Sequence, residues 1–159
     1  MFGSRGLRLN VEPLGGPRIE AMGIDLVIET ESGEAEGWVD DLKNHLATAL
    51  SLPGIENTRC LRFIDHYGDT VFNRYQIPVL ISELESLRSR VTDAVLRQQA
   101  VRNCEAAKKA RWAPTIIRDY ETAIDLVASG PVLAHLDMVL ELARKADGKV
   151  HTYIKFYGD

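Results

Sequence analysis

Met22-Gly23-Ile24-Asp25-Leu26-Val27-Ile28-Glu29-Thr30 is the stretch on which the class of fold turns. Ile24, Leu26 and Ile28 alternate with Asp25, Val27 and Glu29, the period-two pattern of a strand with one buried face. Glu31-Ser32-Gly33-Glu34 follows as a turn, and Ala35 to Val39 has the length of a short hairpin partner. At the far end of the chain, Val150, Thr152, Ile154 and Phe156 alternate with His151, Tyr153 and Lys155, which predicts a final strand. Most of what lies between carries helical spacing. Strands near both ends with helices between them predict an α+β fold: a small sheet of about three strands covered by four to five helices. A sheet that small depends on its helical cover for stability.

Moving inward, Val39, Leu42, Leu46 and Leu50 recur at helical spacing, and Pro53-Gly54 ends that helix. Cys60 to Ile64 reads as the remaining strand and runs into a loop, Asp65-His66-Tyr67-Gly68-Asp69. From Ile77, with Pro78 tolerated in the first turn, the stripe is Leu80, Leu84, Leu87, Val91 and Val95. A second stripe, Leu96, Ala100, Cys104 and Ala107, begins where the first fades. The offset predicts a break near Ser89 to Asp93, with Thr92 or Asp93 as N-cap. One helix from Ile77 to Trp112 would run about 50 Å, too long for a compact domain of this size; the alternative to a break is a protruding antiparallel arm, which implies a dimer. Pro114 opens a further helix with Ile116 or Ile117, Tyr120, Ile124 and Val127 inward, and Gly130-Pro131 stops it. Val132, Leu136, Val139 or Leu140, and Ala143 form the last helix, closed by Gly148.

The chain has 159 residues, 45% of them hydrophobic and 26% charged, which fits one globular domain and excludes a disordered chain or a disulfide scaffold. Residues 1–21 hold no lasting periodicity and read as an arm, or as an extension upstream of a start at Met22; residues 22–159 form the single expected domain. Two cysteines, Cys60 and Cys104, lack metal-ligand spacing and fit reduced thiols in a cytoplasmic protein. No segment supplies the run of about 20 apolar residues that a membrane span needs. The net charge of −4 argues against a dedicated nucleic-acid binder. That average conceals two opposed blocks. Glu20 to Asp41 holds eight acidic residues and no Lys or Arg, whereas Arg88 to Arg118 holds eight basic residues against Asp93 and Glu105. Such blocks pair within the fold, pair between subunits, or recruit a charged partner.

One internal echo stands out. Leu61-Arg62-Phe63 leads to Tyr67-Gly68-Asp69, and Ile154-Lys155-Phe156 leads to Tyr157-Gly158-Asp159. Met22 to Leu26, Leu61 to Gln76 with Tyr-Gly-Asp-Thr-Val-Phe-Asn at its centre, and the C-terminal Tyr153 to Asp159 resemble segments of a set of small bacterial proteins with no assigned activity. The resemblance covers about half the chain and fails over Arg90 to Asp147. It implies a compact bacterial domain and transfers no function.

Asp65, His66, Asp69, Asn73 and Arg74 lie within ten residues and are the candidate catalytic set. Two carboxylates with a histidine hold a divalent metal or orient a general base, and His151 and Asp159 join them if the last strand lies alongside. No recognised metal-ligand spacing occurs, so no metal and no cofactor is assigned. The candidate partner-binding set is Arg97, Lys108, Lys109, Arg111 and Trp112, with Arg90 in register only if the helix is continuous. The favoured expectation is a non-catalytic interaction protein, immunity-like or regulatory, that binds another protein or a second copy of itself. A small metal-dependent hydrolase built on Asp65, His66 and Asp69 comes second, and nucleic-acid binding through a basic helix over 97–118 third.

Overall fold

The structure, a computed structural model, describes residues 23–158. The expectations for an arm over 1–21, a start at Met22 and a role for Asp159 lie outside the described residues. Four strands, β1 (Ile24–Thr30), β2 (Ala35–Val39), β3 (Asp69–Phe72) and β4 (Thr152–Gly158), form one antiparallel sheet in the order β2-β1-β4-β3. The first and last strands among the described residues are therefore its central pair, in register from Ile24 opposite Gly158 to Thr30 opposite Thr152. Five helices follow the expected class: α1 (His45–Leu50), α2 (Ile77–Arg90), α3 (Asp93–Lys109), α4 (Pro114–Asp125) and α5 (Ser129–Ala146).

The alternation does what it predicts over Ile24 to Ile28 and Thr152 to Phe156, but β4 starts at Thr152 and Val150, expected on its buried face, is exposed before it. Ile24, Leu26, Ile28, Ile154 and Phe156 are buried on one face, joined by Phe72 of β3, whose ring meets Phe156 edge to face at 5.8 Å between centroids. Leu46 and Ala49 of α1, Leu80, Leu84 and Leu87 of α2, and Leu136, Val139 and Leu140 of α5 belong to the same core. Each large side chain buried there stabilises the fold by about 1.5–3 kcal/mol.

Four local expectations need correction or confirmation. The sheet has four strands, close to the expected number of about three, but Cys60 to Ile64 is not one of them: Leu61–Phe63 is a 3-10 turn, and the third strand starts at Asp69. The cause is Glu83 of α2, whose carboxylate accepts the backbone N–H groups of Arg59 (2.5 Å), Cys60 (2.9 Å) and Leu61 (3.1 Å). Two oxygens that collect three successive amides remove the donors a ladder would use. The helix expected from Val39 starts only at His45, because Val39 ends β2 and Leu42 is exposed. Asp41 sets that start: its Oδ1 accepts from Leu46 N and its Oδ2 from Ala47 N, both at 3.1 Å. Gly130-Pro131 is not a stop but lies in the first turn of α5, where proline has no intrahelical bond to lose; α4 ends five residues earlier. The break between α2 and α3 is where the offset stripes put it. Val91 is extended, and Thr92 caps α3 by accepting Val95 N at 3.2 Å.

Candidate functional site

The catalytic candidates do not converge. Asp65, His66 and Asp69 precede or begin β3, whereas Asn73 and Arg74 follow it, so the strand holds the two groups at opposite ends of the sheet. Asp65 accepts Tyr67 N at 2.9 Å, an Asx-turn, and Asn73 accepts Tyr75 N at 3.0 Å and Gln76 N at 3.3 Å ahead of α2. Both carboxyl and amide side chains are thus engaged in shaping the backbone. His66 lines a 450 Å³ cavity with Leu52, Glu56, Arg62 and Arg102, away from any second acid of its set. The tandem Tyr-Gly-Asp ends do come together: Gly158 N donates to Gly68 O at 3.2 Å. A Cβ on Gly158 would lie 2.5 Å from the carbonyl carbon and oxygen of His66, so that approach requires glycine.

His151 sits with Asn73 and Arg74, not with Asp65 and His66. Together with Glu31, Tyr75 and Tyr153 they line a 480 Å³ cleft at the other end of the sheet. The His151 Nδ1 stands 2.5 Å from Glu31 Oε1, and the Tyr153 hydroxyl donates to the same oxygen at 3.4 Å. The histidine takes a left-handed φ of 59°, and both members of its pair are more than half exposed. A pair so solvated adds little beyond holding the turn.

A second polar cluster, unread in the sequence, is buried beneath α1 and α5. Asp41 accepts two helix amides, as above, while its own N–H donates to Asp25 Oδ1 at 2.9 Å. His135 of α5 is buried. Its Nε2 stands 3.5 Å from Asp41 Oδ1 without the alignment of a hydrogen bond, and its ring lies 5.9 Å from that of His45. Burial pushes the His135 imidazole below the ordinary histidine value, and the attraction of Asp41 does not offset it. The signal for Asp41 was an acid just ahead of an apolar helix start; for Glu83 it was an acid three residues after Leu80, beside the buried stripe. Among the described residues no group of three or more His, Cys, Asp or Glu is placed to share a metal ion.

Among the described residues the charged blocks do not pair with each other. The acidic strand residues meet the C-terminal strand and its approach: Glu29 binds Lys155 and accepts the Tyr157 hydroxyl at 2.8 Å, and Glu36 binds Lys149 at 3.0 Å. Glu29 is held below the usual carboxylate range first by the Lys155 hydrogen bond and then by that of Tyr157. The basic block turns elsewhere: Arg88 binds Asp137, and the Arg90 guanidinium donates to the Pro53 carbonyl, out of any register with Arg97.

Nor is 97–118 one helix. It climbs α3, rounds a tip at which Arg111 takes a φ of 57°, and enters α4. Lys108 is tied to Glu121 across the pair at 2.6 Å. Arg97, Lys109 and Arg111 are exposed and form no ion pair among the described residues, and Trp112, 48% exposed, lies 6.0 Å from the Tyr120 ring.

α3 and α4 pack chiefly on each other and reach the rest of the molecule at their base, through Leu96 and Val127. Leu96, Cys104 and Ala107 of α3 are buried in that seam or its base, but α4 has no buried residue at all. Ile116, Ile117, Tyr120, Ile124 and Val127 point to one face, as their spacing predicts, yet each is only half-buried. An apolar cleft of 260 Å³ between Ala100, Asn103, Tyr120 and Ala123 on one side and Thr48 and Val132 on the other marks where the cover fails. No single helix among the described residues is long and apolar enough to cross a membrane. Comparison with protein-family models, curated proteins and solved structures finds no match.

Proposed function

We propose that the chain is a non-catalytic interaction domain of the regulatory or immunity-like kind, whose contact element is the α3–α4 hairpin. The observation that carries this reading is the half-covered apolar face of α4, with Trp112 exposed at the tip and Leu126, 75% exposed, at the foot. A helix whose large apolar residues are unfinished as a core is the usual signature of a surface completed by a partner. Aromatic and arginine side chains are the groups that anchor such surfaces, and the tip supplies both in Arg111 and Trp112. Further support comes from the opposite quarter. Asp65 and Asn73, two of the candidates around β3, are occupied with turns and caps, which favours binding over the hydrolase reading.

Affinity capture from the native host with wild-type chain and with Trp112→Ala tests the proposal. A partner retained by the wild type should be lost by the variant while its circular dichroism and thermal midpoint stay unchanged. An identical captured set for both would refute the hairpin as the contact element.

A further inference from the structure

Building on the reading of the hairpin as contact element, we infer that its occupant is a second copy of this chain, two hairpins closing into a four-helix bundle. The argument is one of charge and cover together. From Asp93 to Arg111 the α3 arm carries five basic and two acidic residues, whereas α4 carries Asp119, Glu121 and Asp125 against Arg118 alone. The hairpin is thus a positive helix beside a negative one. Lys108 and Glu121 already show the attraction between them within one chain. Among the described residues Arg102, Lys109, Asp119 and Asp125 form no ion pair and are all exposed.

A two-fold axis can place α3 of one copy against α4 of the other, and it then does so twice, so each positive arm meets a negative one. A homologous pairing of α3 with α3 would instead set like charges side by side, which fixes the orientation. The same packing covers Ile116 and Tyr120, which α3 alone leaves half-open, in the way that antiparallel bundles bury the facing stripes of four helices.

The experiment reverses one arm at a time on exposed positions. Arg102→Glu with Lys109→Glu makes α3 acidic; Asp119→Lys with Asp125→Lys makes α4 basic. Sedimentation equilibrium of the wild type should show a concentration-dependent dimer, and each reversed form alone should dissociate with a constant raised roughly tenfold or more. Mixing the two reversed forms should restore a heterodimer, because the acidic α3 of one then faces the basic α4 of the other, and the second contact sets an unreversed basic α3 against an unreversed acidic α4. Damage confined to each hairpin's own fold cannot be repaired by mixing, so rescue separates association from misfolding. A Trp38→Phe background leaves Trp112 as the only tryptophan, and its emission should shift to the blue on dimerisation.

A wild type that stays monomeric at high concentration overturns the second copy while leaving the capture test of the hairpin to be answered on its own. A dimer that ignores both reversals, with Trp112 emission unchanged, overturns the second copy at this surface, and the capture test again answers for the hairpin on its own. Two reversed forms that stay monomeric on mixing, beside a dimeric wild type, also overturn the proposed pairing.

Discussion

α4 and α5 are consecutive helices separated by Leu126 to Ala128, and they spend similar side chains in different ways. In α5, Val132, His135, Leu136, Val139, Leu140, Leu142, Ala143 and Ala146 are buried; in α4 none is. α5 lies against α1, α2 and the sheet, so its stripe is closed from several sides. α4 has only α3 beside it, and α3 offers small residues, Ala100, Cys104 and Ala107, to the seam. The contrast teaches that a helical apolar stripe reports a need for cover without saying whether the cover lies in the same chain. Stability should therefore reside in the body and association in the hairpin.

The sharpest way to break that division is a matched pair of truncations. Leu136→Ala, at a fully buried site, should cost about 2–5 kcal/mol by the transfer and cavity terms. Ile117→Ala, at a half-buried site, should cost only about 1 kcal/mol in the monomer, because much of that side chain is already wet. Urea unfolding of both variants measures the difference. Equal costs would make the hairpin part of the core and remove the contrast.

Next in size is Glu83→Ala. It strips three backbone amides of their acceptor, two of them on buried residues, and should destabilise the protein by about 2–3 kcal/mol. The loss should appear in the body, with amide exchange rising at Cys60 and Leu61 and unchanged in α4.

Much of this division was open to reading from residues alone. The paired strands at Ile24–Thr30 and Thr152–Gly158, and the stop at Thr92, follow from period and capping chemistry that act over a few residues. The turn at Leu61–Phe63 was hidden because its cause is 22 residues away: Cys60, Leu61 and Ile64 are all buried at a helical rather than alternating spacing, and a carboxylate from α2 takes the amides. The candidate set around β3 looked like one site because ten residues of sequence imply nearness, while a four-residue strand with turns at both ends separates them in space. His135 was hidden because an imidazole beside a leucine fits either face until its neighbours are known.

That histidine supplies a pH test confined to the body. Its folded value is pushed below the ordinary 6.5, so the unfolded chain takes up the proton first as pH falls. The stability it protects is complete above about pH 6.5 and is lost as pH drops from there toward the folded value. The carboxylates held low by their partners, Glu29 and Asp137, titrate in a more acid range, so an early decline belongs to the histidine. A His135→Gln variant should flatten the thermal midpoint across that early window. A decline that survives the substitution would move its origin away from the pocket beneath α1 and α5.

The smallest effect is at the joint between the two regions. Thr92→Ala removes the hydroxyl that caps α3 and should cost about 1 kcal/mol. Its distribution is more telling than its size. Val91 is extended there, so the chain passes from body to hairpin through a single non-helical step, and the cap fixes the direction in which α3 leaves. Hydrogen exchange should therefore quicken through the first turn of α3 and along α4, while β1, β4 and α5 keep their protection. If protection falls equally in every element, the hairpin and the body unfold as one cooperative unit, and the open face of α4 must be accounted for within that unit instead of as a surface held apart from it.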